Sequence, residues 1–291
     1  MNYIESYGDI KKMSPISVRE YMRSAVLTGL SLLDQFRDLE SQIKKPRVQF
    51  LYIHHVFKDE ENSFRVLLNK LKQTHTFISY SEAISKILNG EIDKSYITIS
   101  TDDGFKNNLK AAEILNEFGA KACFFINPSI IGETNNTKVT EYCNNTLQFP
   151  TVEFLNWNDI GVLQKTGHEI GSHTMDHIMI SENTLEVITK DMELSYQTLK
   201  EKCGDVKHFA FPYGRFFHFN EIARKACFDA GFMSCATAER GCHINHDKEL
   251  KPHELCVLRD HIMLDWDINH IMYFLGRNSR NVTPQNNLFP Y

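Results

Sequence analysis

From about residue 46 onward the chain alternates short apolar runs with amphipathic stretches of helical period, and that alternation leaves few folds open. Val48-Gln49-Phe50-Leu51-Tyr52-Ile53 reads as a strand. Phe64, Leu67, Leu68 and Leu71 recur at i, i+3, i+4 and i+7, one face of a helix. Ala83, Ile84, Ile87 and Leu88 repeat the pattern, with Gly90 placed to stop it. The strand Tyr96–Ile99 follows, then a helical face of Ala111, Ile114, Leu115 and Phe118 ended by Gly119, then the strand Ala122–Ile126. A helix near Trp157–Lys165 stops at Gly167, and Glu169-Ile170-Gly171 begins a short strand. Asn183 and Glu186 have capping-box spacing for a helix with Leu185, Ile188, Met192 and Leu199 on one side and Gly204 at its end. His208–Phe211 is the next strand, Asn220 caps a helix that stops at Gly231, and Phe232–Cys235 and Cys256–Leu258 are late strands.

Strand–helix alternation implies a parallel sheet with helices outside it. About seven units over roughly 230 residues suit an α/β fold of the closed or nearly closed barrel kind. An open doubly wound sheet is the alternative, but no GxGxxG follows any of the strands. The reading divides the 291 residues into an N-terminal helical extension (1–45), a barrel (46–278) and a polar tail (279–291).

With 32 basic and 37 acidic side chains the net charge is −5, which argues against a nucleic-acid surface. The one basic cluster, Lys44-Lys45-Pro46-Arg47, is short and reads as solvated surface. No apolar run approaches the ~18 residues of a membrane span. The stretch Ala25–Leu33 contains Thr28, Gly29 and Ser31 and follows Glu5, Asp9 and Glu20, unlike the basic start of a signal peptide. The seven cysteines are an odd number without a CxxC pair, which reads as buried thiols in a reducing, cytoplasmic compartment.

Three clusters each lie just after a strand, at the sheet edge where α/β folds build sites. The first is Ser100-Thr101-Asp102-Asp103-Gly104-Phe105. Adjacent carboxylates at a strand end point apart, so one can bind a cation while the other faces a substrate; either could instead cap the next helix. The second is Gly171-Ser172-His173-Thr174-Met175-Asp176-His177. Its HxxxH puts two imidazoles on one side if the segment is a helical turn, and two imidazoles plus a carboxylate suit zinc and other divalent metals. The third, Phe211-Pro212-Tyr213-Gly214, is a turn that positions a ring and exposes backbone N–H groups, although any ordinary turn would read the same way.

Thr101-Asp102-Asp103-Gly104, His173-Thr174-Met175-Asp176-His177 and Phe211-Pro212-Tyr213-Gly214 come in the order of, and resemble, the motifs of the polysaccharide deacetylase family (the NodB-homology domain, carbohydrate esterase family four). The flanking Gly167-His168-Glu169-Ile170-Gly171-Ser172 matches too, and the resemblance spans about 48–265. It implies a distorted (β/α) barrel with one divalent metal per chain. Zinc is the first expectation, with cobalt, nickel, iron or manganese as alternatives. The resemblance makes Asp103, His173 and His177 the metal ligands and Asp102 the general base, and it puts Tyr213 and Pro212 on the substrate and oxyanion side.

The chain also departs from the family pattern. Thr101 stands where an aromatic is usual, and Ala210 where many members carry an arginine that pairs with the catalytic aspartate. Arg259, in Val257-Leu258-Arg259-Asp260-His261, is the candidate replacement, expected within hydrogen-bonding distance of Asp102. The usual late Leu-x-His is replaced by Leu-x-x-His, leaving His261 as the candidate general acid or a structural residue. His54-His55 resembles the early Tyr-His-x-Val element with Ile53 in the tyrosine place, so His54 is expected at the site mouth. His243 and His246 are expected on a solvated loop, and Asn156-Trp157-Asn158-Asp159 as a helix start with a packed indole. The stretch 132–149, rich in Asn and Thr, either shapes the substrate site or is a surface loop.

The expected activity is metal-dependent removal of an N-acetyl group from an amino sugar, in a cytoplasmic glycan precursor. The alternatives are hydrolysis of a non-sugar amide, such as an acylated polyamine or cyclic amide, and metal-retaining sugar binding without catalysis. The expected partner is a small-molecule or glycan substrate, with no nucleic acid and no membrane span. Oligomeric state is not legible.

Overall fold

A computed structural model describes residues 3–13, 18–35, 45–280 and 282–290. The Lys44 end of the basic cluster, and the parts of the extension and tail outside these ranges, lie outside the described residues. Among those described, helices α1 (Tyr7–Met13) and α2 (Val18–Gln35) precede β1 (Arg47–Ile53). Then come α3 (Glu61–Lys72), β2 (Thr76–Phe77), α4 (Tyr80–Asn89), β3 (Ser95–Thr101), α5 (Asn108–Glu117), β4 (Ala122–Ile126), α6 (Asn136–Glu141) and α7 (Trp157–Lys165). The second half holds β5 (Glu169–Ser172), α8 (Leu185–Cys203), β6 (His208–Ala210), α9 (Glu221–Asp229), β7 (Ser234–Ala236), β8 (Cys256–Val257), β9 (Arg259–His261) and α10 (Ile268–Asn278).

The strands form one parallel sheet in the order β8-β7-β6-β5-β4-β3-β1-β9. Its two ends are nearly the same piece of chain, because only Leu258 separates β8 from β9. Residues 256–261 bond to β7 on one side and to β1 on the other, closing the sheet into a near-complete barrel. With that kinked run counted once, seven strands make the wall, as the alternation predicts. β2 is an addition that shares one edge of β3, ahead of β4.

Every residue of β1, β3 and β4 is buried, because helices cover one face of the wall and the lumen fills the other. Successive side chains alternate between the two. Leu51, Ile53, Phe124 and Ile126 pack outward with Phe64, Leu68 and Leu71 of α3. Val48, Phe50, Cys123, Phe125, Ala210 and Ala236 fill the lumen. Gly171 is fixed by this filling, since a Cβ there would lie 2.5 Å from the Phe125 ring. A third cluster of Phe57, Phe105, Ile130, Val139, Cys143, Val152 and Phe154 is covered by Tyr3, Ile4, Tyr7 and Ile10 from the N-terminal segment.

Some local expectations are corrected. The cap of α8 is Thr184, whose hydroxyl accepts from the Val187 N–H, while Asn183 Nδ2 donates to Met179 O. Leu185 is exposed, whereas Ile188, Met192 and Leu199 are buried. His243 is fully buried rather than on a solvated loop, bonded to Asn287 and accepting from the Leu258 N–H. Asn287 belongs to the C-terminal segment, which therefore docks back onto the barrel, with Phe289 joining the main core. Asn156 caps α7 in a capping box with Asp159, and the Trp157 ring packs on the core, as the sequence suggests. All seven thiols are unpaired and six are buried. No helix among the described residues is long and apolar enough to cross a membrane.

Candidate active site

The pleat that fills the lumen also aims the chemistry. Residues 50 and 52 of β1 pair with 98 and 100 of β3 and with 259 and 261 of β9, all on the inward face. Continuing that parity past the C-terminal strand ends puts Asp102 and His173 at the top of the lumen. There they line a cavity of about 210 Å³ together with Tyr52, His54, Asp103, His177, Tyr213, Leu147 and Arg259.

Asp102 and Asp103 do not cap the following helix, whose N-cap is Asn107. Asp102 stays extended past the strand, its N–H donating to Ile53 O at 3.2 Å. Asp103 turns into the left-handed region (φ 71°) and so faces the same cavity from a different direction. The HxxxH segment is not a helical turn, as the spacing suggested, but a loop. Thr174 and His177 in left-handed conformation (φ 66° and 55°) bring the two rings to a centroid distance of 5.1 Å. Asp191 of α8 holds that loop by accepting from the Met175 and Asp176 N–H groups at 2.8 and 3.3 Å. Asn127, just past β4, holds it from inside by donating to His173 O and Thr174 O. Neither residue was foreseen, and neither lies in a motif.

Asp103 Oδ1 lies 3.6 Å from His173 Nε2 and 3.5 Å from His177 Nε2, and it is buried without a hydrogen-bond partner. Donors about 2.0–2.2 Å from a tetrahedral ion lie about 3.3–3.6 Å from one another, so the three atoms fit one divalent cation. The three residues form a buried group that could hold a metal ion. His173 Nδ1 donates to Ala210 O at 2.7 Å, which fixes the tautomer and leaves the Nε2 lone pair toward the site. Burial lowers His173 and, with His173 beside it, pushes His177 down to about 3, so both rings are neutral as ligation needs. Burial, then the neighbouring Asp102 charge, pushes the Asp103 carboxyl up to about 8.

Asp102 has its counter-charge. Arg259 Nη1 and Nη2 donate to its two oxygens at 2.7 and 2.9 Å, a bidentate pair buried at both ends. The guanidinium lies between the Tyr52 and Phe125 rings, and its Nε donates to Thr237 O. Burial works against ionisation of Asp102, but Arg259 outweighs it and holds the carboxyl at about 2.

His54 lines the cavity, and burial pushes it down to about 4. His261, expected in the site, is not among the residues lining the cavity. It stacks on Tyr52 and its Nε2 hydrogen-bonds to His54 Nδ1 at 3.2 Å, one layer behind. Pro212 is buried in its turn, and Tyr213 (φ 63°) presents its ring to His177 at 5.2 Å. A Cβ on Gly214 would lie 2.3 Å from Ala238, so only glycine allows this turn. The stretch 132–149 is ordered as α6 and a π-helical turn (Tyr142–Leu147), and Leu147 forms one wall of the cavity.

The family model for polysaccharide deacetylases matches residues 89–234, half of the chain and all three motifs. The chain belongs to the polysaccharide deacetylase family. No curated protein sequence matches this deacetylase-family chain significantly. Among solved structures it is similar to IcaB from Ammonifex degensii, at 18% identity and a TM-score of 0.65 over 80% of this chain and 98% of that one. It is also similar to the deacetylase PplD of Streptococcus pyogenes in complex with acetate, at 17% identity and a TM-score of 0.63 over 79% of this chain and 99% of the other. A third is a de-N-acetylase from Aggregatibacter actinomycetemcomitans, at 18% identity and a TM-score of 0.60 over 78% and 99%. At these identities the likeness speaks for the fold alone, and the fold is the one the motifs imply.

Proposed function

We propose that the protein is a metal-dependent deacetylase that hydrolyses the N-acetyl group of an amino sugar, with Asp103, His173 and His177 holding the metal. The observation that carries this reading is the difference between two adjacent carboxylates in one cavity. Asp102 is held ionised by Arg259, and Asp103 has a buried oxygen without a partner between two imidazole Nε2 atoms. Two nitrogens and one oxygen favour zinc, which would polarise the acyl oxygen and make water more acidic.

In this reading Asp102 takes the proton from the attacking water, and the water oxygen adds to the acyl carbon. In this reading the Tyr213 N–H, in its left-handed turn, is the oxyanion donor. When the C–N bond breaks, the amine takes a proton and leaves as the free amino sugar beside acetate. That proton is the one Asp102 took from the water; His54, kept neutral by burial, lines the cavity beside it. With His261 Nε2–H donating to His54 Nδ1, the single proton of the neutral His54 ring sits on Nε2, and His261 orients that ring. Seven unpaired thiols support a reducing compartment, and hence a cytoplasmic glycan precursor as substrate.

The test is acetate release from N-acetylated sugars by metal-loaded protein, with metal content measured in parallel. Asp102→Asn should keep about one metal per chain and lose at least ~10²-fold in rate, the usual worth of a general base. Asp103→Asn should lose the metal itself. Release from acylated polyamines but not from sugars would redirect the assignment. Tight sugar binding with no release from any substrate would leave a binding protein.

A further inference from the structure

The two histidines of the candidate metal site are positioned by different means. His173 is oriented through its ring, whose Nδ1 donates to Ala210 O. His177 Nδ1 is buried without a partner, and the ring packs edge-on against His173 and Tyr213. A ligating histidine is ordinarily aimed by a hydrogen bond on its second nitrogen. Among the described residues no such bond aims His177, so its Nε2 is placed by the backbone that carries it.

That backbone is not one a free chain would keep. Thr174 and His177 both have left-handed φ, Thr174 is β-branched, and residues 172–178 include no glycine. The conformation has to be imposed, and α8 imposes it. Asp191 and Ser195, one turn apart on that helix and both buried, reach the segment together. Ser195 Oγ bonds to Ser172 Oγ at 2.6 Å, just before His173. Asp191 accepts from the Met175 and Asp176 N–H groups, one on each carboxylate oxygen. Those two N–H groups are the ones between Thr174 and His177.

Ionised Asp191 does not add to the stability of the fold. Burial raises its carboxyl to about 6, although both N–H donors pull the other way. An acid whose pKa is higher folded than unfolded disfavours folding once it is ionised. A carboxylate kept at a cost to stability, on the backbone beside a ligand, has a positioning task.

We propose that Asp191 is a positioning residue of the metal site: by fixing the backbone between Thr174 and His177 it replaces the hydrogen bond that the His177 ring lacks, and so it sets metal affinity. This rests on the metal-dependent reading of the cavity, and it names a residue outside the three motifs on which the metal depends.

The test is a titration of Zn²⁺ in competition with a chromophoric chelator, with visible spectra of the Co²⁺ form alongside. Asp191→Asn keeps the size of the side chain but offers an oxygen to only one of the two N–H groups. It should weaken Zn²⁺ roughly tenfold and alter the Co²⁺ spectrum, while the metal-free protein denatures near the wild-type midpoint. In the metal-free protein the imidazole NMR signals of His177 should broaden and those of His173 stay sharp. Leu199→Ala, two turns further along α8, weakens the same helix through the core and should bind Zn²⁺ as wild type does. Asp191→Ser, which keeps a polar side chain but cannot reach both N–H groups, carries the same expectation should Asp191→Asn fail to fold. Wild-type affinity in a folded Asp191 variant, or an equal loss in Leu199→Ala, would overturn the proposal and leave the metal reading standing. A wild-type protein that binds no divalent metal would sink the metal reading itself, and the proposal with it.

Discussion

The two ends of the barrel lumen are built from the same inward register, yet they hold their polar groups in opposite ways. At the N-terminal end, Glu169, His208 and Ser234 face inward from the first residues of β5, β6 and β7, and Ser81 meets them from α4. Glu169 accepts from the Ser81 N–H and hydroxyl and lies 3.2 Å from His208 Nε2, and His208 Nδ1 bonds to Ser234 Oγ at 2.8 Å. Each of the four side chains has partners within the group. At the C-terminal end, Asp103 Oδ1 and His177 Nδ1 are buried without partners, on residues that line a cavity. A serine, a histidine and a glutamate in contact resemble a catalytic relay, and Glu169 and His208 also line a cavity of about 200 Å³, but the hydrogen bonds of the lower group are met among its own members. A network whose hydrogen bonds are met within itself specifies and stabilises a fold, whereas unmet valences beside a cavity are where a ligand belongs.

The comparison would break first at Arg259. With Asp102 it makes the fully satisfied ion pair at the upper end, so it has a structural as well as a chemical role. Arg259→Met removes a bidentate partner and leaves a buried carboxylate uncompensated, which should cost about 3–5 kcal/mol of stability as well as most of the rate. Chemical denaturation with metal saturating is the measurement. A loss of rate with stability unchanged would mean that Arg259 acts on catalysis alone.

Glu169→Gln tests the lower end. Burial opposes ionisation of Glu169, but His208 and Ser81 hold it at about 2. The substitution should cost about 2 kcal/mol through misdirected buried hydrogen bonds, with metal content and acetate release unchanged. A large rate loss in a stable Glu169→Gln protein would end the distinction between the two ends.

A smaller effect comes from pH. His243 is buried and neutral, pushed down to about 4 by burial, against 6.5 in the unfolded chain. Its folded pKa is depressed, so the unfolded chain binds the extra proton first. The associated stability is complete above 6.5 and is lost as pH falls toward 4. Asp191 and Asp260, raised by burial to about 6 and 7, work with the opposite sign, so the whole-protein slope mixes both. The clean quantity is the stability difference between wild type and His243→Gln. It should shrink by about 2 kcal/mol from pH 6.5 to 5. A difference independent of pH would mean that His243 is not the group titrating.

Much of this was legible in sequence because it depends on local pattern. The strand–helix alternation gave the wall, and Asp102-Asp103, the HxxxH and the Pro-Tyr-Gly turn lie where strands end. Other features depend on tertiary placement. His243 and His246 share a polar stretch, but the antiparallel bridge to Val48 and the returning Asn287 bury the first. Asn127 and Asp191 act on the backbone of a loop far away in sequence. The described non-glycine residues with left-handed φ are Asp103, Gln148, Thr174, His177 and Tyr213. Four belong to the three motifs and the fifth follows Leu147. Strain of about 1 kcal/mol or more at each is carried where geometry serves function, and composition gives no sign of it.

The smallest expected effect concerns a carboxylate with as many partners as Glu169 but in the open. Asp59 accepts from Ser6 Oγ and from the Tyr7 and Gly8 N–H groups at 2.9–3.0 Å, tying α1 to the loop after β1. Slight burial opposes its ionisation, but those donors hold it below its ordinary value. Its depressed pKa gives stability above the ordinary carboxylate range that is lost on acidification. Because solvent competes for each donor, Asp59→Ala should cost about 1 kcal/mol or less, a fall of roughly 2–4 °C in Tm. Amide exchange at Tyr7 and Gly8 should quicken while the cavity residues stay protected. If Asp59→Ala cost as much as Glu169→Gln, the number of hydrogen bonds rather than their burial would set the stakes. The contrast between the two ends of the lumen would then rest only on which polar atoms are left open.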